Sequence, residues 1–312
     1  MINCKGRFGV TGYPWYFASA FAQEPDSGEQ CPVCMDTQRT IQERARVGCA
    51  RCYTVFRNQL NPLILSLHGT TKYCSSSQPL KVPITSSYDD IIISSRIRLA
   101  RNIADVPFRP KQPDVYDAVL KTLKSDFTCE KIFEMTTTRI EELLAKRSLT
   151  CELAENKTNG YIAIHKKNCN ATIMLGEEDH MRIQVIQQGL DLISPYNQAK
   201  KIADQIESKH KLAYDESLGY LTECLSNIGL GIRASVMLAL PKLHASGRME
   251  LFINQLRDLH IDVRGSAGEF DDGSDGVFQI SNDISMFRDE QRTIETITRV
   301  AIMLAQYERE EV

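Results

Sequence analysis

Within Gly176-Glu177-Glu178-Asp179-His180-Met181-Arg182, three carboxylates, an imidazole and a guanidinium follow directly on the apolar run Ala171 to Leu175. Carboxylates at a strand end can orient a cationic group and take a proton from it, and an arginine beside them can hold an anion. A solvated loop can carry the same composition, so the reading depends on the other motifs. In Ser94-Ser95-Arg96-Ile97-Arg98-Leu99-Ala100-Arg101, side chains two apart on a strand share a face, so Arg96 and Arg98 project together while Ile97 turns into the core. Such a pair can clamp neighbouring phosphate oxygens, because the planar arginine fork bonds oxyanions bidentately and keeps its charge; an exposed basic strand face is the alternative. Cys224-Leu225-Ser226-Asn227-Ile228-Gly229-Leu230-Gly231-Ile232-Arg233-Ala234-Ser235 sets a thiol, two glycines and an arginine before the apolar run Val236 to Leu240. Its glycines suit either close backbone approach to an anion or a plain turn. Arg264-Gly265-Ser266-Ala267-Gly268-Glu269 again joins an arginine to glycines and a carboxylate, and its continuation Phe270 to Gly276 reads as a lid or a solvated loop. There is no Walker-type GxxxxGK[ST] sequence and no protein-kinase signature.

Cys31-Pro32-Val33-Cys34 and Cys49-Ala50-Arg51-Cys52 form C-x2-C-x14-C-x2-C. Two tight turns at this spacing can present four thiolates tetrahedrally to one zinc ion, and four sulfurs leave no open position for catalysis. A unit this small needs the metal for much of its stability. The remaining cysteines, Cys4, Cys74, Cys129, Cys151, Cys169 and Cys224, are scattered. The spacing is that of a metal site more than of a disulfide framework.

The chain has 312 residues, 42% hydrophobic and 25% charged, with net charge −3. That balance predicts no nucleic-acid partner and no membrane surface, so any phosphate recognition is local. No run of about 18 apolar residues is present, which excludes a transmembrane helix. The first 23 residues resemble a secretory signal only faintly, since Pro14, Trp15 and Tyr16 interrupt the apolar stretch, and the expected location is cytoplasmic.

The elements that must position these motifs are an α+β domain on a largely antiparallel sheet flanked by helices, preceded by the small Cys4 zinc module. Strands are expected at Ile91 to Ile97, Tyr161 to His165, Ala171 to Leu175, Ser235 to Leu240, Leu251 to Ile253, His260 to Val263 and Val277 to Ser281. Helices are expected at Pro113 to Phe127, Ile132 to Lys146, Asp191 to His210 and Asp289 to Tyr307. The expected domains are a poorly ordered leader at 1–30, the zinc module at 31–69, a linker at 70–87 and the main domain at 88–312.

The stretch from CPVC through GCARCYTVFRNQLNPLILSLHG resembles a zinc-binding module of McsA, the bacterial activator of protein arginine kinase, which implies an interaction module. The arginine segments together resemble the catalytic domain of the ATP:guanido phosphotransferases, within them the bacterial protein arginine kinases (McsB) more than kinases of free arginine or creatine. The resemblance covers roughly Tyr88 to Asn282. It implies ATP phosphate contacts at Arg96, Arg98, Arg182, Arg233 and Arg264, with the nucleotide site extending over Ser94, Ser95, Ile97, Ala234, Ser235, Val236, Met237, Gly265, Ser266, Ala267, Gly268 and Glu269. It further implies Glu178 and Glu269 as the carboxylates that grip the acceptor guanidinium, and Cys224 as a reactive cysteine whose thiolate the arginines favour. ATP and Mg2+ are the implied cofactors of the reaction and Zn2+ that of the module. His180 touches the nucleotide or is a core histidine.

The chain departs from the family pattern in having Gly176 for Asn, Leu225 for Pro and Ser226 for Thr. No histidine stands near Lys146 to Ser148 for the adenine, and the family continues into a further helical region. The expected function is transfer of the γ-phosphate of ATP to arginine residues of proteins. The alternatives are a weak or inactive adaptor of such a system and, less favoured, a kinase of a free guanidino compound. Expected partners are arginine-bearing protein substrates, with a separate activator or a protease or chaperone system as further partners.

Overall fold

The computed structural model describes residues 28–75, 88–108, 113–155, 159–167, 170–265, 275–286 and 289–311. The Cys-rich part contains helices α1 (Gln38–Arg44), α2 (Cys52–Val55) and α3 (Arg57–His68). There follow β1 (Ile92–Arg101), α4 (Pro113–Leu123), β2 (Phe127–Lys131), α5 (Thr137–Ala145), α6 (Cys151–Ala154), β3 (Tyr161–His165), β4 (Ala171–Leu175) and β5 (Met181–Gln188). The chain continues through α7 (Ile193–Glu207), β6 (Tyr214–Asp215), β7 (Gly219–Tyr220), β8 (Ile232–Ala239), α8 (Pro241–Ala245), α9 (Arg248–Arg257), β9 (Ile261–Gly265), β10 (Val277–Asn282) and α10 (Glu290–Glu310).

Among the described residues the main sheet has eight strands in the order β2-β3-β4-β5-β1-β8-β10-β9, every neighbour antiparallel. The strand period of two gives each central strand one apolar face and one polar face. Ile97, Leu99, Ile183, Val185, Ala234, Val236 and Ile280 are buried on the first of these. That face is covered by α7, which packs on β1 and β5, and by α10, which packs on β8 and β10. Both helices bury residues at three- and four-residue spacing, Tyr196, Ala199, Ala203 and Ile206 on α7 and Ile294, Ile297, Ala301 and Leu304 on α10. Arg96, Arg98, Arg182 and Arg233 are left on the opposite face.

Two expectations need correction. Leu251 to Ile253 lies in α9, where Met249 and Leu256, seven residues apart, are buried and Leu251 is 64% exposed; a short apolar run does not distinguish strand from helix. The helix expected from Ile132 begins only at Thr137, after a 3-10 turn at Ile132–Glu134, with the Thr136 side chain accepting from Arg139 N. Strands β2 and β5 were not expected. In β5 the polar residues Arg182, Gln184 and Gln188 interleave Ile183 and Val185, masking the strand.

The Cys-rich part shares its core with the sheet domain. Tyr53, Phe56 and Leu60 lie in one apolar cluster with Leu221, Leu225 and Ile228. Hydrogen bonds clamp the contact: Tyr53 Oη donates to Thr222 O at 2.7 Å, Val47 N to Glu223 O at 3.1 Å and Phe108 N to Gly48 O at 2.7 Å. The stretch 70–75 is docked as well, with Tyr73 N donating to Ser217 O at 2.6 Å and its ring edge-on to Tyr214. Residues 1–27 and 76–87, with most of the expected leader and linker, lie outside the described residues.

Candidate active site

Register brings the arginines together. Arg98 of β1 stands opposite Arg233 of β8 and Gln184 of β5, Arg96 opposite Ser235 and Ile186, and Arg264 of β9 opposite Gln279 of β10. Cross-strand like charges are unfavourable in themselves, and an anion placed between Arg98 and Arg233 would relieve that repulsion. Burial, and then the charges of Arg233, Arg147, Arg182 and Arg264, bring the Arg96 guanidinium down to about 10. Arg98 is pushed well below the usual arginine range, by burial first and Arg182 next, with Glu177 opposing. Arg96 is held by Gln279 Oε1 at 2.8 Å, and Asp262 ties two of the others, accepting from Arg233 at 2.6 Å and pairing with Arg264. Ser94, Arg96, Arg147, Ser235, Met237 and Gln279 line a cleft alongside.

The segment after β4 is a buried charge cluster: Asp179 and His180 are 0% exposed and Glu178 and Arg182 only 7%, which rules out a solvated loop. Charges so buried are tolerated when paired and hydrogen-bonded. Arg182 pairs with Glu177 and lies 3.2 Å from Glu178 Oε1, which also accepts from Asn227 Nδ2 at 3.1 Å. Asp179 accepts from Asn102 Nδ2 at 2.7 Å and from Glu223 N at 2.9 Å, pinning this segment to the one that holds Cys224. His180 accepts from Ile103 N through Nδ1 at 3.0 Å and donates from Nε2 to Pro107 O at 2.9 Å, so it is a satisfied core histidine, not a nucleotide contact.

On the other oxygen of Glu178 sits an arginine from the Cys-rich part: Arg46 Nη1 is 2.6 Å from Glu178 Oε2 and 4.0 Å from Glu223 Oε1. Nearby, the Sγ atoms of Cys31, Cys34, Cys49 and Cys52 all lie within 4.8 Å of one another, with Cys31 to Cys49 at 3.5 Å and Cys49 to Cys52 at 3.8 Å. Tetrahedral zinc with Zn–S bonds of ~2.3 Å requires sulfur separations of roughly 3.8 Å, so the four thiols fit that ion.

Residues 113–311 match the ATP:guanido phosphotransferase C-terminal catalytic domain. The chain belongs to the ATP:guanido phosphotransferase family. Residues 29–75 of this guanido phosphotransferase match the McsA central zinc-finger domain. It is 37% identical to the protein-arginine kinase of Caldanaerobacter subterraneus subsp. tengcongensis over 235 residues, 71% of this chain and 69% of that protein. It is 36% identical to that of Clostridium acetobutylicum over 223 residues, 68% of this chain and 65% of that protein. The chain thus spans about two thirds of the length of these relatives. Its fold is similar to that of lombricine kinase, at TM-score 0.73 and 22% identity over 85% of this chain and 80% of that one. The duplicated taurocyamine kinase of Schistosoma mansoni is also similar, at TM-score 0.79 and 18% identity over 98% of this chain and 47% of that one.

Within the guanido phosphotransferase fold, the side chains of Arg96, Arg98, Arg182, Arg233, Ser235 and Met237 share the polar face, and Arg264 flanks it on β9. Ile97, Ala234 and Val236 are buried in the core beneath the helices, and Ser95 Oγ donates to Gly189 O on that same side; alternation puts all four side chains on the face opposite the arginines. Gly265 ends β9, while Ser266, Ala267, Gly268 and Glu269 lie outside the described residues. At Cys224, burial, and then the Glu178 carboxylate, push the thiol up to about 11 against the opposing Ser226 hydrogen bond and Arg46, the opposite direction to the thiolate implied by the resemblance. Gly229, with φ 101, serves the turn and not an anion, since a Cβ there would lie 2.8 Å from Ser285 O. Sequence reasoning missed Arg46, Asn102, Arg147, Asn227 and Asp262. Only Arg46, a cation between two CxxC motifs, carried any local signal.

Proposed function

We propose that this chain transfers the γ-phosphate of ATP to the guanidinium of arginine residues in proteins. The observation that supports this most is the buried carboxylate of Glu178 at the edge of an arginine-lined face, 3.2 Å from Arg182 and bonded through its second oxygen to a guanidinium from outside the sheet. A guanidinium keeps its proton to above ~12 and is no nucleophile while charged, so the acceptor must be held and relieved of a proton. Glu178 does both: it fixes the acceptor nitrogen beside the phosphate-binding arginines and takes the proton as the N–P bond forms. Arg96, Arg98, Arg182, Arg233 and Arg264 neutralise the triphosphate and the charge that spreads over the transferred group, and Mg2+ arrives with ATP as part of the substrate. Structural zinc on Cys31, Cys34, Cys49 and Cys52 holds the module that borders the acceptor side.

A second reading, a regulator that binds partners and does not transfer phosphate, is favoured by that module's docking over the Thr222 to Ile228 stretch. One assay decides between them. Purified protein incubated with Mg-ATP and an unfolded arginine-rich protein is expected to form acid-labile phosphate on the substrate, and Glu178→Gln to lower kcat by roughly 10²-fold or more. Absence of labelling by the wild type, or undiminished labelling by the variant, sinks the catalytic reading.

A further inference from the structure

We infer that Arg46 is this chain's own phosphoryl acceptor: its guanidinium occupies the acceptor position on Glu178 and is phosphorylated in cis. The inference rests on the kinase reading above. Glu178 bridges two guanidinium groups of different origin, with Oε1 facing Arg182 of the phosphate-binding face at 3.2 Å and Oε2 facing Arg46 Nη1 at 2.6 Å. Asn227 Nδ2 fixes the Arg182 side of the carboxylate at 3.1 Å, and Glu223 supplies a second carboxylate 4.0 Å from the same Arg46 nitrogen. One nitrogen of Arg46 thus has a proton acceptor on it and an anion-binding arginine next to that acceptor, which is the arrangement phosphoryl transfer to a guanidinium demands.

The backbone that delivers Arg46 is built for this seat. Ala45 leaves α1 in the left-handed region at φ 52, and the following residues are clamped by Val47 N to Glu223 O at 3.1 Å and by Phe108 N to Gly48 O at 2.7 Å. The Arg46 side chain is 36% exposed while Glu178 beneath it is 9% exposed, so the guanidinium has one face on the carboxylate and another open to solvent. An ion pair needed only to dock the module would be served by any exposed carboxylate.

In the step, the Arg46 Nη1 lone pair attacks the γ-phosphorus of ATP and the bond from that phosphorus to the β–γ bridging oxygen breaks. ADP leaves with the electron pair, and the nitrogen's proton passes to the Glu178 carboxylate. The product carries negative charge where a cation stood, facing Glu178 and Glu223. Like-charge repulsion then expels the modified side chain and opens the acceptor position to arginines of other proteins.

The test uses the full chain with Mg-ATP, mapped by mass spectrometry without acid exposure, alongside an added unfolded arginine-rich protein. One phosphoryl group is expected on Arg46, with a time course independent of protein concentration over a ~100-fold range, as an intramolecular reaction requires. Arg46→Lys, which keeps the charge but offers no guanidinium, removes that label. Transfer to the added substrate is expected to follow a lag in the wild type, while Arg46 is modified and expelled, and to start without one in Arg46→Ala. Labelling of the added protein with Arg46 unmodified overturns the inference and leaves the kinase reading standing, and modification at a rate proportional to protein concentration overturns its cis character. If nothing is labelled, the kinase reading falls and an arm without ATP decides the occupancy. A peptide bearing one central arginine is expected to bind Arg46→Ala ~10-fold more tightly than wild type, because a tethered occupant filling the site nine-tenths of the time lowers apparent affinity by that factor. Equal binding to the two proteins overturns the inference.

Discussion

Gly176 stands where the family pattern has asparagine, and its backbone explains how the turn survives the change. Its φ is 86, in the left-handed region that glycine enters freely and asparagine tolerates better than most residues. Gly176→Asn is therefore expected to shift stability by less than about 0.5 kcal/mol, whereas Gly176→Val, branched at Cβ, is expected to lose about 1–3 kcal/mol. Urea midpoints of the three proteins check this, and a Val variant as stable as wild type would refute the backbone argument. His68 gives a pH dependence at the same scale. It is fully buried, its Nε2 donates to Leu225 O at 2.8 Å, and burial lowers it to about 4. An unfolded histidine titrates near ~6.5, so between pH 6.5 and 4 the unfolded chain binds more protons and acid destabilises the fold, by up to about 3 kcal/mol for this group. Stability from His68 is present above pH 6.5 and lost as pH falls toward 4. His68→Gln, which retains a donor, is expected to flatten that part of the pH dependence relative to wild type in urea titrations at pH 7 and pH 5.

At the scale of elements, the Cys-rich unit and the segment carrying Cys224 fold as one body. The apolar side of the unit rests on Leu221, Leu225 and Ile228. Removal of zinc by a strong chelator, or Cys31→Ser, is expected to abolish metal binding, to leave the sheet's circular dichroism intact and to accelerate amide exchange from Leu221 to Ile228. Unchanged exchange there would mean that the two units are energetically independent. The long helices and most strands were legible because their apolar periodicity is imposed by the core they share. At Leu251 to Ile253 the same clue misled, because three apolar residues fit both periods. At β5 it was hidden, because alternate positions are occupied by polar side chains.

For the whole molecule, Asn102 at the end of β1 ties three distant parts of the chain. Its Nδ2 donates to Asp179 Oδ1 at 2.7 Å and to Leu221 O at 3.0 Å, and its Oδ1 accepts from His180 N at 2.7 Å. It thereby fixes the carboxylate segment and the Cys224 segment against the central strand. Asn102→Ala leaves a buried carboxylate and two backbone groups short of partners, and is expected to cost about 2–5 kcal/mol of stability. Acceptor KM is expected to rise as well, since Glu178 and Cys224 lose their common anchor. Denaturant midpoints with steady-state kinetics check both, and a loss under about 1 kcal/mol would show that the anchor is redundant.

Local spacing was enough for the faces of β1 and β8, the clustering of four cysteines and the residue types of the candidate site, because period-two alternation, CxxC spacing and arginine clusters are local properties. Arg96 with Arg98, and Glu178 with Arg182, can be read from a few residues each. Tertiary structure alone decided what those residues meet. Pairing of β1 with β8 sets Arg98 against Arg233, and Asp262 joins Arg233 to Arg264. Glu178 meets the guanidinium of Arg46, at 132 residues' separation in the chain. Such contacts leave no trace in local spacing, since they arise from strand order and from the shared apolar face that docks one unit on the other. The Cys224 thiol is likewise raised by burial and by Glu178 against Ser226 and Arg46, groups that come from several segments. A charge whose environment comes from several segments is set by the assembled fold, not by its neighbours in sequence.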